Sequence, residues 1–203
     1  CSSINFVNNT YAKERSIDEN DLSAKAAVLI DGENGRILFG KNEKEKRAMA
    51  STTKIMTCIV ALENCKANQV VEISSKAASM PKVKMNVMKG EQYYLKDLLY
   101  AMMLESYNDV AVAVAESIGG NVENFAKMMN EKAKNIGANN TSFVTPNGLD
   151  AKEHYSTAYD MAKIGAYAIK NKSFLEIINT KKYNLTEIKN KRNITVFNKD
   201  NFL

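Results

Sequence analysis

Between residues 95 and 136 the chain carries three apolar stripes at helical spacing, each ended by a break in the pattern. Leu95, Leu98, Leu99, Met102 and Met103 form the first, which ends just before Ser106. Val110, Val114 and Ile118 form the second, stopped by Gly119-Gly120, and Phe125, Met128, Met129, Ala133 and Ile136 the third, closed by Gly137. Each stripe must be buried against a neighbour, so the middle of the chain is committed to packed helices. After a loop over residues 138–155, Ser156 or Thr157 is placed to cap a fourth helix carrying Met161, Ala162, Ile164, Ala168 and Ile169. Strand signals flank this block. Residues 26–30 and 36–40 are strand-like around an Asn34-Gly35 turn and predict a β-hairpin. Residues 70–73 and 83–88 read as short strands or extended loops, and residues 194–197 as strand within a mixed C-terminal stretch. The pattern predicts an α/β fold of the α+β type.

Several classes of function are excluded early. The net charge of +5 comes from lysines scattered over the chain, and the densest run, Lys189-Asn190-Lys191-Arg192, has no interleaved aromatics. This is solvation or weak attraction to an anionic surface, with no nucleic-acid groove. The single histidine, His154, sits in a polar segment and is expected to be solvated at the surface. One histidine and isolated cysteines supply no metal site, and no Gly-x-Ser-x-Gly elbow or Gly-rich phosphate loop occurs. Cys58 and Cys65 lie about 10 Å apart along a helix, too far to bridge, and both are expected to be small buried apolar residues. The ten methionines fall mostly in the stripes and read as core. No apolar run approaches the roughly 20 residues of a membrane span. Cys1 is read either as an arbitrary start or as the first residue after lipoprotein signal cleavage.

The candidate chemistry lies at Ser51-Thr52-Thr53-Lys54. Serine and lysine three apart on a helix share a face, which sets an amine beside a hydroxyl without a histidine. Buried there, the amine can lose its proton near neutral pH and act as a base. The pattern alone is weak: with 13 Ser and 24 Lys in 203 residues, chance gives roughly 1.5 matches. A second match, Ser79-Met80-Pro81-Lys82, is a decoy, because Pro81 and the alternation after it read as extended chain. After Lys54, by contrast, Ile55, Met56, Ile59, Val60 and Leu62 form a helical stripe. Ser106-Tyr107-Asn108 is the second motif, and Ser3-Ile4-Asn5 in the polar leader is its decoy.

In order and with their flanks, these segments closely resemble the penicillin-binding D-alanyl-D-alanine carboxypeptidases. The resemblance is carried by residues 50–57, Ser106-Tyr107-Asn108-Asp109, Gly90-Glu91-Gln92-Tyr93, Leu95-Lys96-Asp97-Leu98-Leu99, Pro146-Asn147-Gly148-Leu149-Asp150 and residues 155–162. It implies a β-lactamase/D,D-peptidase-like fold: an antiparallel sheet with flanking helices plus a mainly helical subdomain. Residues 1–22 are polar and read as a leader; the resemblance implies a peptidase domain over 23–203, with 23–64 and about 170–203 on the sheet side and about 65–169 mainly helical.

The resemblance further implies that Ser51 attacks the carbonyl between the two D-alanines of a peptidoglycan stem peptide, and that Lys54 accepts its proton. Ser106 relays a proton to the leaving D-alanine, Asn108 holds the substrate amide, and β-lactams acylate Ser51. Ser51 at a helix N-terminus is well placed for developing negative charge, and its own N–H can supply half an oxyanion hole. No cofactor or metal is implied. The place of action is extracytoplasmic, with membrane contact only through a segment not present in this chain. The residues 146–150 loop is expected to carry no chemistry, and Tyr107 to pack at the cleft edge.

The family's third motif, Lys-Thr-Gly, does not occur in the 203 residues. In the family it lies on a strand that binds the substrate carboxylate and supplies the second oxyanion donor. The expectation is therefore a domain lacking its C-terminal strands, with weak activity or none. Two alternatives stand beside the carboxypeptidase. One is a non-catalytic wall-binding paralogue or inactive fragment. The other is a class A β-lactamase, which needs a deacylating glutamate over 138–153, where the one glutamate, Glu153, lacks the expected flanking Leu-Asn.

Overall fold

The computed structural model describes residues 22–199. The expected leader, Leu22 excepted, and with it Cys1 and the Ser3-Ile4-Asn5 triplet, lies outside the described residues. Strands β1 (Ala27–Ile30) and β2 (Ile37–Lys41) form the expected hairpin, with a register shift at Leu29/Ile30. Its turn is tied by the Asp31 carboxylate, which accepts from the Glu33 N–H at 2.9 Å and the Asn34 amide at 3.0 Å.

Helix α1 (Thr53–Asn64) is the centre of the molecule. Apolar residues run around it, as a helix enclosed on all sides requires. Cys58 and Ile59 face one core cluster with Leu98, Leu99, Met102, Val110 and Val114. Met56 and Val60 face the other with Phe125, Met129, Phe143 and Ile164. Each large side chain enclosed in these clusters contributes about 1.5–3 kcal/mol of transfer free energy, so the start of α1 is fixed from two sides.

The first cluster is built by α3 (Leu95–Glu105) and α4 (Asn108–Gly119), and the second by α5 (Val122–Ile136) and α6 (Ala158–Ala168). Gly119 is needed for close approach, since a Cβ there would stand 2.7 Å from the Phe125 nitrogen. Asn121 caps α5, and Thr157, of the two candidates, caps α6 by accepting from the Asp160 N–H. Ser156 instead bonds Thr141.

Two short elements complete the middle of the chain. Strand β3 (Val70–Glu72) pairs with β4 (Gln92–Tyr94), and α2 (Ser75–Ala78) lies between them. The second Ser-x-x-Lys match falls just after α2. Ser79 donates its hydroxyl to the Lys76 carbonyl and Lys82 is exposed, so no buried amine faces that serine. Residues 83–88 form a loop with no strand partner among the described residues, and Asn86 within it is left-handed (φ 62°).

A seventh helix, α7 (Lys172–Ile178), capped by Asn171, was not expected from the sequence. With seven residues and Phe174 and Ile177 as its buried positions, it has no stripe long enough to read. Strands β5 (Lys182–Thr186) and β6 (Asn193–Phe197) then form a hairpin. The expected antiparallel sheet is present among the described residues as three separate two-stranded ladders. Each strand has three to five residues and pairs with a nearby partner. The cysteine expectation needs one correction: Cys58 is buried, whereas Cys65 is exposed. Cys65 follows the last residue of α1 and turns away in extended conformation.

Candidate active site

Ser51 does not open α1 directly. It sits in a single 3-10 turn (Ala50–Thr52) ahead of the helix and is exposed. Its hydroxyl makes no hydrogen bond among the described residues. Ala50 holds a left-handed backbone (φ 48°), a conformation that costs an ordinary residue of order 1 kcal/mol or more and persists only where surroundings impose it. Gly148 packs against this turn so tightly that a Cβ there would fall 1.8 Å from the Ala50 carbonyl oxygen. Gly148 itself sits at φ +85°. Only glycine satisfies both conditions.

Lys54 is 2% exposed. Its Nζ donates to Asn108 Oδ1 at 2.9 Å and to the Asn147 carbonyl at 2.8 Å. Both acceptors are neutral, and no ion pair to Lys54 is formed among the described residues. Burial therefore acts unopposed and lowers the amine from 10.5 to about 8. At pH 7 about a tenth of such amines are neutral, against a few in ten thousand for an ordinary lysine.

The second motif is shaped by the junction of α3 and α4. Ser106 ends α3 in a left-handed conformation (φ 61°) and is half-buried, and Tyr107 beside it is half-buried. Asn108 starts α4 and is buried. Its amide nitrogen donates to the Lys82 carbonyl at 2.9 Å, and its backbone N–H donates to the Val83 carbonyl at 2.7 Å. One side chain thus holds the lysine amine with its oxygen and the 81–83 loop with its nitrogen. Asp109, fully buried, fixes the same loop further on by accepting from the Met85 and Val87 N–H groups. The structure brings Lys54 and Asn108 into direct contact. Ser51 lies three residues ahead of Lys54 and Ser106 two ahead of Asn108.

Two parts of the site escape sequence reasoning. The 146–150 loop, expected to carry no chemistry, supplies the Asn147 carbonyl to Lys54, and the Pro146 carbonyl accepts from Thr57 Oγ1 at 2.6 Å. A backbone carbonyl has no residue signature; the one available cue was the Pro-Asn-Gly turn. His154, expected at the surface, is 6% exposed. Its Nε2 lies 3.0 Å from Thr53 Oγ1, and its Nδ1 accepts from the Val144 N–H at 3.0 Å. The polar residues around it in sequence hid a ring that packs inward against Phe143. Among the described residues no group of histidine, cysteine and carboxylate side chains is placed to hold a metal. A cavity of about 400 Å³ lies at the far end of α1, around Leu62, Leu99, Tyr100 and Ile177, and includes no residue of this site.

The sequence profile described as D-alanyl-D-alanine carboxypeptidase matches residues 12–203. The chain belongs to the D-alanyl-D-alanine carboxypeptidase family. It is 39% identical over 184 residues to the D-alanyl-D-alanine carboxypeptidase DacF of Bacillus subtilis, covering 87% of this chain and 47% of that protein. It is 34% identical over 171 residues to DacC of Escherichia coli, covering 79% and 43%. The chain spans about half the length of these relatives. Among solved structures, a D-alanyl-D-alanine carboxypeptidase of Mycobacterium tuberculosis superposes with a TM-score of 0.81 at 27% identity, over 87% of this chain and 67% of that one. The S216A mutant of the Streptomyces K15 DD-transpeptidase gives 0.81 at 28% identity, over 89% and 75%. The expected fold is thereby borne out: helices with short antiparallel ladders in the arrangement of the penicillin-binding D,D-peptidases.

Proposed function

We propose that this chain carries the nucleophile side of a serine D-alanyl-D-alanine carboxypeptidase. Ser51 is the nucleophile, Lys54 its base, Ser106 the proton relay and Asn108 the residue that positions the amine and meets the substrate amide. The substrate is a peptidoglycan stem peptide ending in D-Ala-D-Ala. Ser51 Oγ attacks the carbonyl between the two alanines while its proton passes to the neutral Lys54 amine. The peptide C–N bond then breaks, the leaving D-alanine nitrogen takes a proton through Ser106, and an ester on Ser51 remains for water to hydrolyse. β-Lactams acylate the same serine. The place of action is the outer face of the cytoplasmic membrane, and no helix among the described residues is long and apolar enough to cross a membrane. The proposed domain runs over 23–203, with 23–64 and about 170–203 on the sheet side and 65–169 mainly helical.

The observation that carries this reading is the lysine amine: buried, held by two neutral acceptors, and lowered to about 8, three residues after an exposed serine. A structural lysine at a helix start would reach solvent or a carboxylate. The test is release of D-alanine from a peptide ending in D-Ala-D-Ala, abolished by Ser51→Ala. Release that survives Ser51→Ala defeats the assignment. Fast turnover of penicillin in place of a stable adduct would point to the β-lactamase reading instead.

A further inference from the structure

The loop over residues 144–148 is attached to α1 at three levels. The Pro146 carbonyl accepts from Thr57, the Asn147 carbonyl accepts from Lys54, and at the outer end His154 bridges Thr53 to the loop. The first two contacts are ordinary carbonyl hydrogen bonds. The third depends on the protonation state of one ring. Nδ1 accepts from the Val144 N–H at 3.0 Å and lies 3.4 Å from the Thr145 N–H. Nδ1 must therefore carry a lone pair, which places the ring proton on Nε2, facing Thr53 Oγ1. The ring has no spare nitrogen. A second proton can only go to Nδ1, where it would point at a backbone N–H. The Val144 N–H would lose its acceptor, and two donors would face each other in a closed space.

We propose that His154 is a positioning residue for the base: its neutral ring fastens the 144–148 loop to α1 and so keeps the Asn147 carbonyl on the Lys54 amine, and protonation of His154 releases that hold. The inference rests on the role proposed above for Lys54. Val144 is three residues from Asn147 and four from Gly148, the residue packed against the Ala50 carbonyl ahead of Ser51. A loosened outer end therefore reaches both the base and the nucleophile turn.

The charged surroundings are simple. From its own segment the ring faces the exposed Asp150, whose charge favours protonation. From α1 it faces Thr53, with Lys54 the next residue. From the 143–145 segment it meets the Phe143 ring, with centroids 6.1 Å apart. Burial outweighs Asp150 and holds the ring below the ordinary 6.5, so the neutral, fastened state prevails at neutral pH.

His154 is the single histidine of the chain, so its imidazole can be followed without ambiguity by nitrogen and carbon NMR. The first arm titrates the ring while watching the Val144, Thr145 and Asn147 amides and the Lys54 Nζ signal. The expected result is an Nε2-protonated ring at neutral pH, with all four signals shifting at the midpoint at which the ring titrates. Titration of His154 without a response at Asn147 and Lys54 overturns the proposal.

The second arm measures acylation by a labelled penicillin against pH. Ionisation of Lys54 alone makes the rate fall tenfold per pH unit below about 8. With His154 coupled, the fall steepens to a hundredfold per unit below the ring's midpoint. His154→Asn keeps an acceptor at the Nδ1 position but cannot be protonated, so it stays at tenfold, whereas His154→Phe loses rate at every pH. An identical acid limb in wild type and His154→Asn overturns the proposal. Absence of acylation at any pH would count against the proposed function, and the NMR arm alone would then decide the role of His154. The same arm decides if the variants fail to fold.

Discussion

The Lys54 amine leaves a mark on folding stability that can be read without any substrate. In the folded chain it titrates at about 8, and in the unfolded chain near 10.5. Between these values the unfolded chain holds a proton that the folded chain has released, so stability rises with pH across that window. Below about 8 both states are protonated, and the folded state bears the full penalty of a buried ammonium. The interval corresponds to about 3 kcal/mol, at about 1.4 kcal/mol per pH unit. Lys54→Met keeps the side-chain length and removes the titration. It leaves Asn108 Oδ1 and the Asn147 carbonyl without their donor, a loss that does not depend on pH and cancels in a comparison across pH. The stability difference, wild type minus Lys54→Met, should therefore grow by about 3 kcal/mol from pH 7.5 to 10.5. For a chain of this size that is about 6–12 °C in relative melting temperature. Urea or thermal melts of both proteins at matched pH give the value. A difference that stays flat from pH 7.5 to 10.5 would refute the claim that burial depresses this amine.

Three further outcomes follow from contacts in the structure. Gly148→Ala places a Cβ 1.8 Å from the Ala50 carbonyl at a φ of +85°, and should destabilise by about 3 kcal/mol or more in urea melts, with penicillin labelling lost. Asn108→Ala removes an acceptor from Lys54 and a donor from the Lys82 carbonyl, so about 2–3 kcal/mol of stability should go, and labelling should slow. Buried Cys58, whose thiol burial pushes well above its ordinary range, should stay unmodified by iodoacetamide in the native protein while exposed Cys65 reacts, as read by peptide mass mapping.

The sequence made the helices legible because their cores are periodic: α3, α4 and α5 end where Ser106, Gly119-Gly120 and Gly137 interrupt the stripes. It singled out Ser51, Lys54, Ser106 and Asn108 as candidates because ordered motifs with matching flanks are rare, whereas either motif alone is not. Backbone groups and side-chain orientation stayed hidden. The Asn147 carbonyl that receives the amine is available at any residue, and the need for glycine at Gly148 becomes visible only when Ala50 is seen against it. The burial of His154 is hidden for the same reason. Its neighbours Lys152 and Glu153 are exposed, and only the fold turns the ring inward. Short elements such as α7 lack the length for a periodic signal.

Ser51 as a nucleophile activated by the Lys54 amine makes a direct chemical prediction. Acylation by a labelled penicillin, followed by peptide mapping of the adduct in wild type and Lys54→Met, tests it directly. A single adduct on Ser51 is expected in wild type, forming faster as pH rises towards 8, with a loss of at least a hundredfold in rate for Lys54→Met. An adduct on Ser106 or Ser79, or an undiminished rate in Lys54→Met, would contradict it.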